Sequence, residues 1–127
     1  MRQQIPTGII GMVHLKALPG SPGFSGNIDD IENAAIADAN TLLAGGVDAI
    51  LIENFGDVPF QKNVDAVTVS SMTRIIREIV KLSDVPVGVN VLRNDAHSAL
   101  AIATITGASF IRVNVHIGAM LTDQGLI

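Results

Sequence analysis

Gly46-Val47-Asp48-Ala49-Ile50-Leu51-Ile52-Glu53 decides the fold. A glycine stops a helical stretch, two small or polar residues turn the chain, and an apolar run ends on a carboxylate. Gly107-Ala108-Ser109-Phe110-Ile111-Arg112-Val113-Asn114 repeats the pattern: helix stop, short turn, and a strand ending in a polar residue. The two copies sit two βα units apart. Chains built from such units form parallel sheets, either doubly wound or closed as a (β/α)8 barrel.

Working outward, Ile9-Ile10-Gly11-Met12-Val13-His14-Leu15 and Val85-Pro86-Val87-Gly88-Val89-Asn90-Val91-Leu92 read as two more strands. Near-continuous apolar runs of this kind point to parallel strands covered on both faces. Helical patterns separate them. The first runs from about Asp29 to Ala44, with Asp29 and Glu32 spaced as in a capping box and Gly45-Gly46 as the stop. The second carries Met72, Ile75, Ile76 and Ile79 at helical spacing on one face. The third runs from about Ala96 to Thr106, with Asn94 or Asp95 as cap and Gly107 as stop. The order is β-α-β-α-β-α-β.

A full barrel needs about 250 residues, and this chain has 127. The expectation is therefore an α/β fold of the (β/α)8 TIM-barrel type of which residues 1–127 form the N-terminal half, with about the first four βα units. Such a half is either a truncated product or pairs with another half. Open apolar sheet edges invite self-association.

Composition narrows the function. With 8 Lys plus Arg against 12 Asp plus Glu, the formal net charge is −4. No basic excess exists to neutralise phosphates, which argues against nucleic acid. The chain is 48% hydrophobic and 16% charged, unlike a disordered segment. It has no Cys, so disulfides, thiolate catalysis and Cys-ligated metals are excluded. No run approaches the roughly 20 apolar residues of a membrane span, and the N-terminus makes a poor signal peptide. The default expectation is a cytoplasmic protein. No Gly-x-Gly-x-x-Gly fingerprint, Walker-type loop or His-Glu-x-x-His helix is present, so no metal is assigned and the cofactor stays unknown.

The chemistry is expected at the strand ends. On the strand parity that carries His14, the same face holds Met12; Leu51 and Glu53; Gly88, Asn90 and Leu92; and Arg112, Asn114 and His116. Polar groups collect at the carboxyl ends of four strands, where barrel active sites lie. His14, Glu53 and His116 are the catalytic candidates: imidazole titrates near neutrality, and a carboxylate serves as base, ligand or hydrogen-bond partner. The plainer alternative is a structural His14–Glu53 bond, or a Glu53 ion pair with Arg112 or Lys16. Arg112, mid-strand, is read as structural and paired with Glu53. Asn90 and Asn114 offer both donor and acceptor to a small-molecule ligand, though a structural hydrogen-bond layer competes. Lys16 and Arg93 complete the substrate-binding candidates, Arg93 for phosphate or carboxylate. Asp95 reads as a cap and His97 as surface. Two loops add to the rim: the Gly/Pro-rich 16–26 segment, lid or linker, and Asn54–Phe60, whose two Phe cap a substrate or bury an interface.

Several of these stretches resemble the BtpA family. Ile10-Gly11-Met12-Val13-His14-Leu15-Lys16-Ala17-Leu18-Pro19-Gly20-Ser21-Pro22 is similar to its opening motif. Gly46–Phe60, Pro86–Asp95, and Phe110–Val115 running into Asp123-Gln124-Gly125 resemble its second, third and fourth strands with their loops. The resemblance covers essentially the whole chain and implies a ribulose-phosphate-binding type of barrel of about twice this length. It also implies a factor for photosystem I biogenesis, peripheral to thylakoid membranes, in cyanobacteria. Relatives in non-photosynthetic organisms imply an older, enzymatic role. The family supplies no assigned catalytic residues. Three functional readings follow: a lyase, isomerase or hydrolase acting on a small phosphorylated or hydroxylated metabolite; a non-enzymatic assembly factor; or a half-barrel inactive on its own.

Overall fold

The computed structural model describes residues 6–118, together with 121–122 and 125–126. Asp123 and Gln124 lie outside the described residues. Four strands form one parallel sheet in the order β1 (Ile10–His14), β2 (Ala49–Glu53), β3 (Val87–Asn90), β4 (Phe110–Ile111). Helices α1 (Ile28–Ala44), α2 (Ala66–Leu82) and α3 (Ala96–Thr106) connect them. Leu121–Thr122 (β5) and Gly125–Leu126 (β6) pair antiparallel.

Strand order follows chain order without a reversal. One apolar cluster joins all three helices to one face of the sheet. Val13, Ile50, Ile52, Val87 and Val89 meet Ile31 and Ala35 of α1, Met72, Ile75, Ile76 and Ile79 of α2, and Ala99 and Ile102 of α3. The α2 stripe read from the sequence is thus the buried one. The opposite face differs from the expectation of strands covered on both sides. In β1, Gly11 and Val13 are buried while Met12 and His14 are exposed. β2 and β3 are buried throughout, but part of their cover is local: the Phe110 ring lies over Gly88, where an added Cβ would come within 2.2 Å of it.

The helix ends explain the repeat. Gly46 and Gly107 both adopt φ +84°, the left-handed conformation that suits glycine. The strands then start at equivalent places, Ala49 and Phe110. Asp95 caps α3, its carboxylate accepting from the Ser98 N–H at 3.0 Å. At α1 the cap is Asn27, whose side chain accepts from the Asp29 N–H at 2.9 Å. The Asp29–Glu32 capping box does not form, because both carboxylates pair with Arg74 of α2 instead.

β4 is shorter than the apolar run suggests. The N–H groups of Asn114 and Val115 donate to the Asn94 side chain at 2.8 and 3.0 Å. Arg112 still donates its N–H to the Val89 carbonyl of β3 at 3.0 Å, and beyond it the chain is tied to the loop following β3 rather than to a sheet ladder.

Candidate functional site

Parallel register sets His14, Glu53 and Asn90 side by side across three strands. They share the face turned away from the helices. Glu53 is the hub. Its Oε1 lies 3.1 Å from His14 Nε2, and its Oε2 accepts from Asn90 Nδ2 at 2.9 Å. Arg112 Nη1 stands 3.7 Å from Oε2. Asn90 Nδ2 also donates to Asn114 Oδ1 at 3.3 Å, and Asn114 Nδ2 donates to the Arg93 carbonyl at 2.7 Å. The Glu53 side chain is only 6% exposed while that of His14 is 46% exposed. The arrangement is a solvent-reachable imidazole backed by a buried carboxylate. Asn90 Oδ1 is buried without a hydrogen-bond partner, an unmet acceptor of a kind that native interiors rarely leave.

Five of the seven residues proposed from the sequence thus converge: His14, Glu53, Asn90 and Asn114 through side chains, and Arg93 through its backbone. Lys16 and His116 are exposed, and neither bonds to the cluster among the described residues. The Arg112–Glu53 pairing forms, with the Arg112 side chain 55% exposed, so it lies along the rim rather than fully buried.

The ring of Phe55 stacks on His14, with centroids 4.3 Å apart and planes 13° apart, and packs edgewise on Phe60 at 6.3 Å. The stack holds one face of the imidazole. Gly56 makes this possible. Its N–H donates to the Leu15 carbonyl at 2.9 Å, and an added Cβ would lie 2.5 Å from the Ala17 nitrogen.

Two further groups escaped the sequence reading. Asn54, buried directly after β2, bonds both backbone groups of Leu92. Its Oδ1 accepts from the Leu92 N–H at 2.6 Å, and its Nδ2 donates to the Leu92 carbonyl at 3.3 Å. It continues the β2–β3 ladder with a side chain and so locks the two strand ends. Asp57 accepts from the Leu18 N–H at 2.7 Å and pins the 16–26 segment down. Burial pushes its carboxyl above the usual carboxylate range, against the lowering effect of the bonds from Leu18 and Asn54. The available signal was an Asn immediately after a strand, followed by Gly and Asp, a pattern that closes a side-chain-stabilised turn. Asp95 goes the other way: burial alone would raise it, but bonds from the Ser98 and Val64 N–H groups and the Ser98 hydroxyl hold it below the usual value. No group of three His, Asp or Glu side chains is placed to hold a metal ion among the described residues. No helix there is long and apolar enough to cross a membrane.

Sequential parallel βα units with polar side chains gathered at the strand ends define an α/β protein with a polar cluster at the carboxyl edge of its sheet. The chain belongs to the BtpA family, whose sequence profile matches residues 6–127. It is 56% identical over 120 residues to a Synechocystis protein named photosystem I biogenesis protein BtpA. It is 51% identical over 119 residues to an uncharacterized protein of Methanocaldococcus jannaschii, and 37% identical over 120 residues to the putative sgc region protein SgcQ of Escherichia coli. These matches take in 94%, 94% and 93% of the chain but 42%, 46% and 44% of the relatives. The chain therefore spans less than half their length. No solved structure matches it.

Proposed function

We infer that the chain forms the first four βα units of a (β/α)8 barrel, and that its strand-end cluster is the acid–base centre of an enzyme. The substrate class is a small phosphorylated or hydroxylated metabolite. Unreversed strand order, helices on a single sheet face and a length under half that of the relatives support the half-barrel reading. The observation that carries the enzymatic reading is the His14–Glu53 pair at 3.1 Å, exposed on the imidazole side and buried on the carboxylate side. In such a pair the carboxylate orients the ring and the imidazole moves the proton. Asn90 and Asn114 would then hold hydroxyl or carbonyl groups of the substrate.

The test is a thermal-shift screen of sugar phosphates and polyols against the chain, its His14→Ala variant and its Glu53→Gln variant. A ligand that stabilises the chain and fails on both variants, with helix content unchanged, is the expected outcome. Equal stabilisation of both variants would overturn the assignment. Light scattering after size exclusion adds the assembly state: a discrete dimer is expected if two halves cover each other's open sheet faces.

A second reading rests on the 56% identity with the Synechocystis protein, whose name ties it to photosystem I biogenesis. In a photosynthetic host this chain would act as a non-enzymatic assembly factor, with exposed Phe55 as the contact. Co-purification with photosystem I subunits that is lost in Phe55→Ser would favour it. Similar proteins in an archaeon and in Escherichia coli weigh towards the enzymatic reading.

A further inference from the structure

Beside the cluster lies a cavity of about 250 Å3, between the loops after β1 and β2 and the amino end of α2. Asn54, directly after β2, and Leu92, two residues beyond the end of β3, form part of its wall. Phe60 lines it and touches Phe55, which in turn stacks on His14. The volume falls just below the roughly 300–1,000 Å3 of sites for drug-sized ligands, and so suits a single small ring or a short chain.

Its lining discriminates between ligand chemistries. Asp57 and Asp65 face it, and no Lys or Arg lines it among the described residues. A phosphate would meet like charge there with no cation to receive it. Asp57 is already engaged, one oxygen by the Leu18 N–H and the other by Asn54 Nδ2 at 3.3 Å. The remaining polar lining residues are Ser21, Gln61, Asp65 and Thr68. Asp65 stands at the N-cap of α2 yet makes no side-chain cap bond. The Ser21 hydroxyl oxygen is buried without a partner, an arrangement that native interiors rarely leave unexplained. This mixture of donors and acceptors matches hydroxyl groups, which both give and accept hydrogen bonds. An ammonium group only donates and would leave the Gln61 amide N–H groups unmatched. Pro22, Pro59 and Phe60 supply flat apolar wall for a C–H face.

We propose that this cavity is a subsite for an uncharged polyhydroxylated segment of the substrate, the size of one sugar or polyol unit. The proposal rests on the enzymatic reading and narrows its substrate class: the hydroxylated end lies between the first two loops, and any phosphate lies elsewhere.

The test is an amide NMR titration of the chain with ribitol and D-glucose, alongside inorganic phosphate and ethanolammonium. Saturable shifts at Gln61, Thr68 and Ser21 with at least one polyol, and none there with the two ions, are expected. Ser21→Ala removes a hydroxyl that bonds nothing in the fold, so its melting temperature should hold while polyol affinity falls about three- to tenfold, the worth of one neutral hydrogen bond. Thr68→Val should lower affinity in the same direction. Absence of polyol shifts, phosphate or ethanolammonium binding at the same amides, or undiminished affinity in both variants would overturn the subsite. Polyol binding that persists in Glu53→Gln without any ligand requiring the His14–Glu53 pair would keep the subsite and remove the acid–base reading. A ligand that requires the pair while polyols fail to bind would do the reverse.

Discussion

Ile52 and Glu53 are neighbours in β2 and face opposite ways. Ile52 joins the single apolar cluster that binds the sheet to three helices. Glu53 is buried as well but turns its carboxylate to His14, Asn90 and Arg112. One face of the sheet thus holds the fold by volume and the other holds a polar array by direction. On the first face many side chains of similar size suffice; on the second, both Glu53 oxygens and the Asn90 and Asn114 amide nitrogens have named partners, and Asn90 Oδ1 alone of these polar atoms has none.

The largest effect expected from breaking this comparison is on the helix side. Ile52→Ala should lower unfolding free energy by about 2–5 kcal/mol, the usual loss for a fully buried Ile truncated in a packed core. Glu53→Gln, one residue on, keeps volume and shape and should change the urea midpoint far less while abolishing ligand response. If the two substitutions destabilise equally, the division between the faces fails.

A smaller effect sharpens the polar face. Gly88 lies beneath the Phe110 ring, so Gly88→Ala forces the ring aside and should cost about 1–3 kcal/mol as overpacking. Combining it with Phe110→Ala should recover part of that loss in a double-mutant cycle. Additive losses would mean that the ring does not sit where the geometry places it.

The helix-side face was the legible one. The α2 stripe of Met72, Ile75, Ile76 and Ile79, the glycine stops at Gly46 and Gly107, and the extent of α3 all follow from local periodicity and from backbone conformations that few residues tolerate. The strand-end grouping of His14, Glu53, Asn90 and Asn114 was legible as well, because period-two alternation fixes which side chains share a face. Side-chain choices between competing partners were not legible. Asp29 and Glu32 had the spacing of a cap, yet Arg74 of α2, distant in sequence, offered both carboxylates a charged donor and Asn27 took the cap. Asn94 had the position of a cap, yet it holds the backbone after β4. Asn54 read as a loop residue because its partner Leu92 is supplied by another βα unit. Lys16 and His116 had the right strand parity or neighbourhood, but β1 ends at His14 and β4 at Ile111, so strand alternation no longer sets where either side chain lies, and both are exposed.

The finest test is pH, because two carboxyls at the same edge of the sheet are shifted in opposite directions. Asp57 is held above its ordinary value of 3.8 by burial, so the folded state binds its proton more readily than the unfolded chain. Its contribution makes stability fall as pH rises from about 3.8 through the raised value. Asp57→Asn removes that contribution, so the variant should gain on the native protein across this window and hold the gain above it. Asp95 is held below 3.8 by its bonds to Ser98 and Val64 despite its burial. Its contribution is present above 3.8 and is lost as pH falls through the lowered value. Asp95→Asn should therefore lose ground as pH rises towards 3.8 and then run parallel to the native protein. Urea midpoints measured at half-unit steps from pH 2.5 to 7, for the native chain and both variants, read the two slopes directly. Opposite slopes in separate windows would identify Asp57 as a group whose ionisation the fold opposes beside the cavity, and Asp95 as a cap that the fold favours. Slopes of one sign would mean that both carboxyls serve the fold alone.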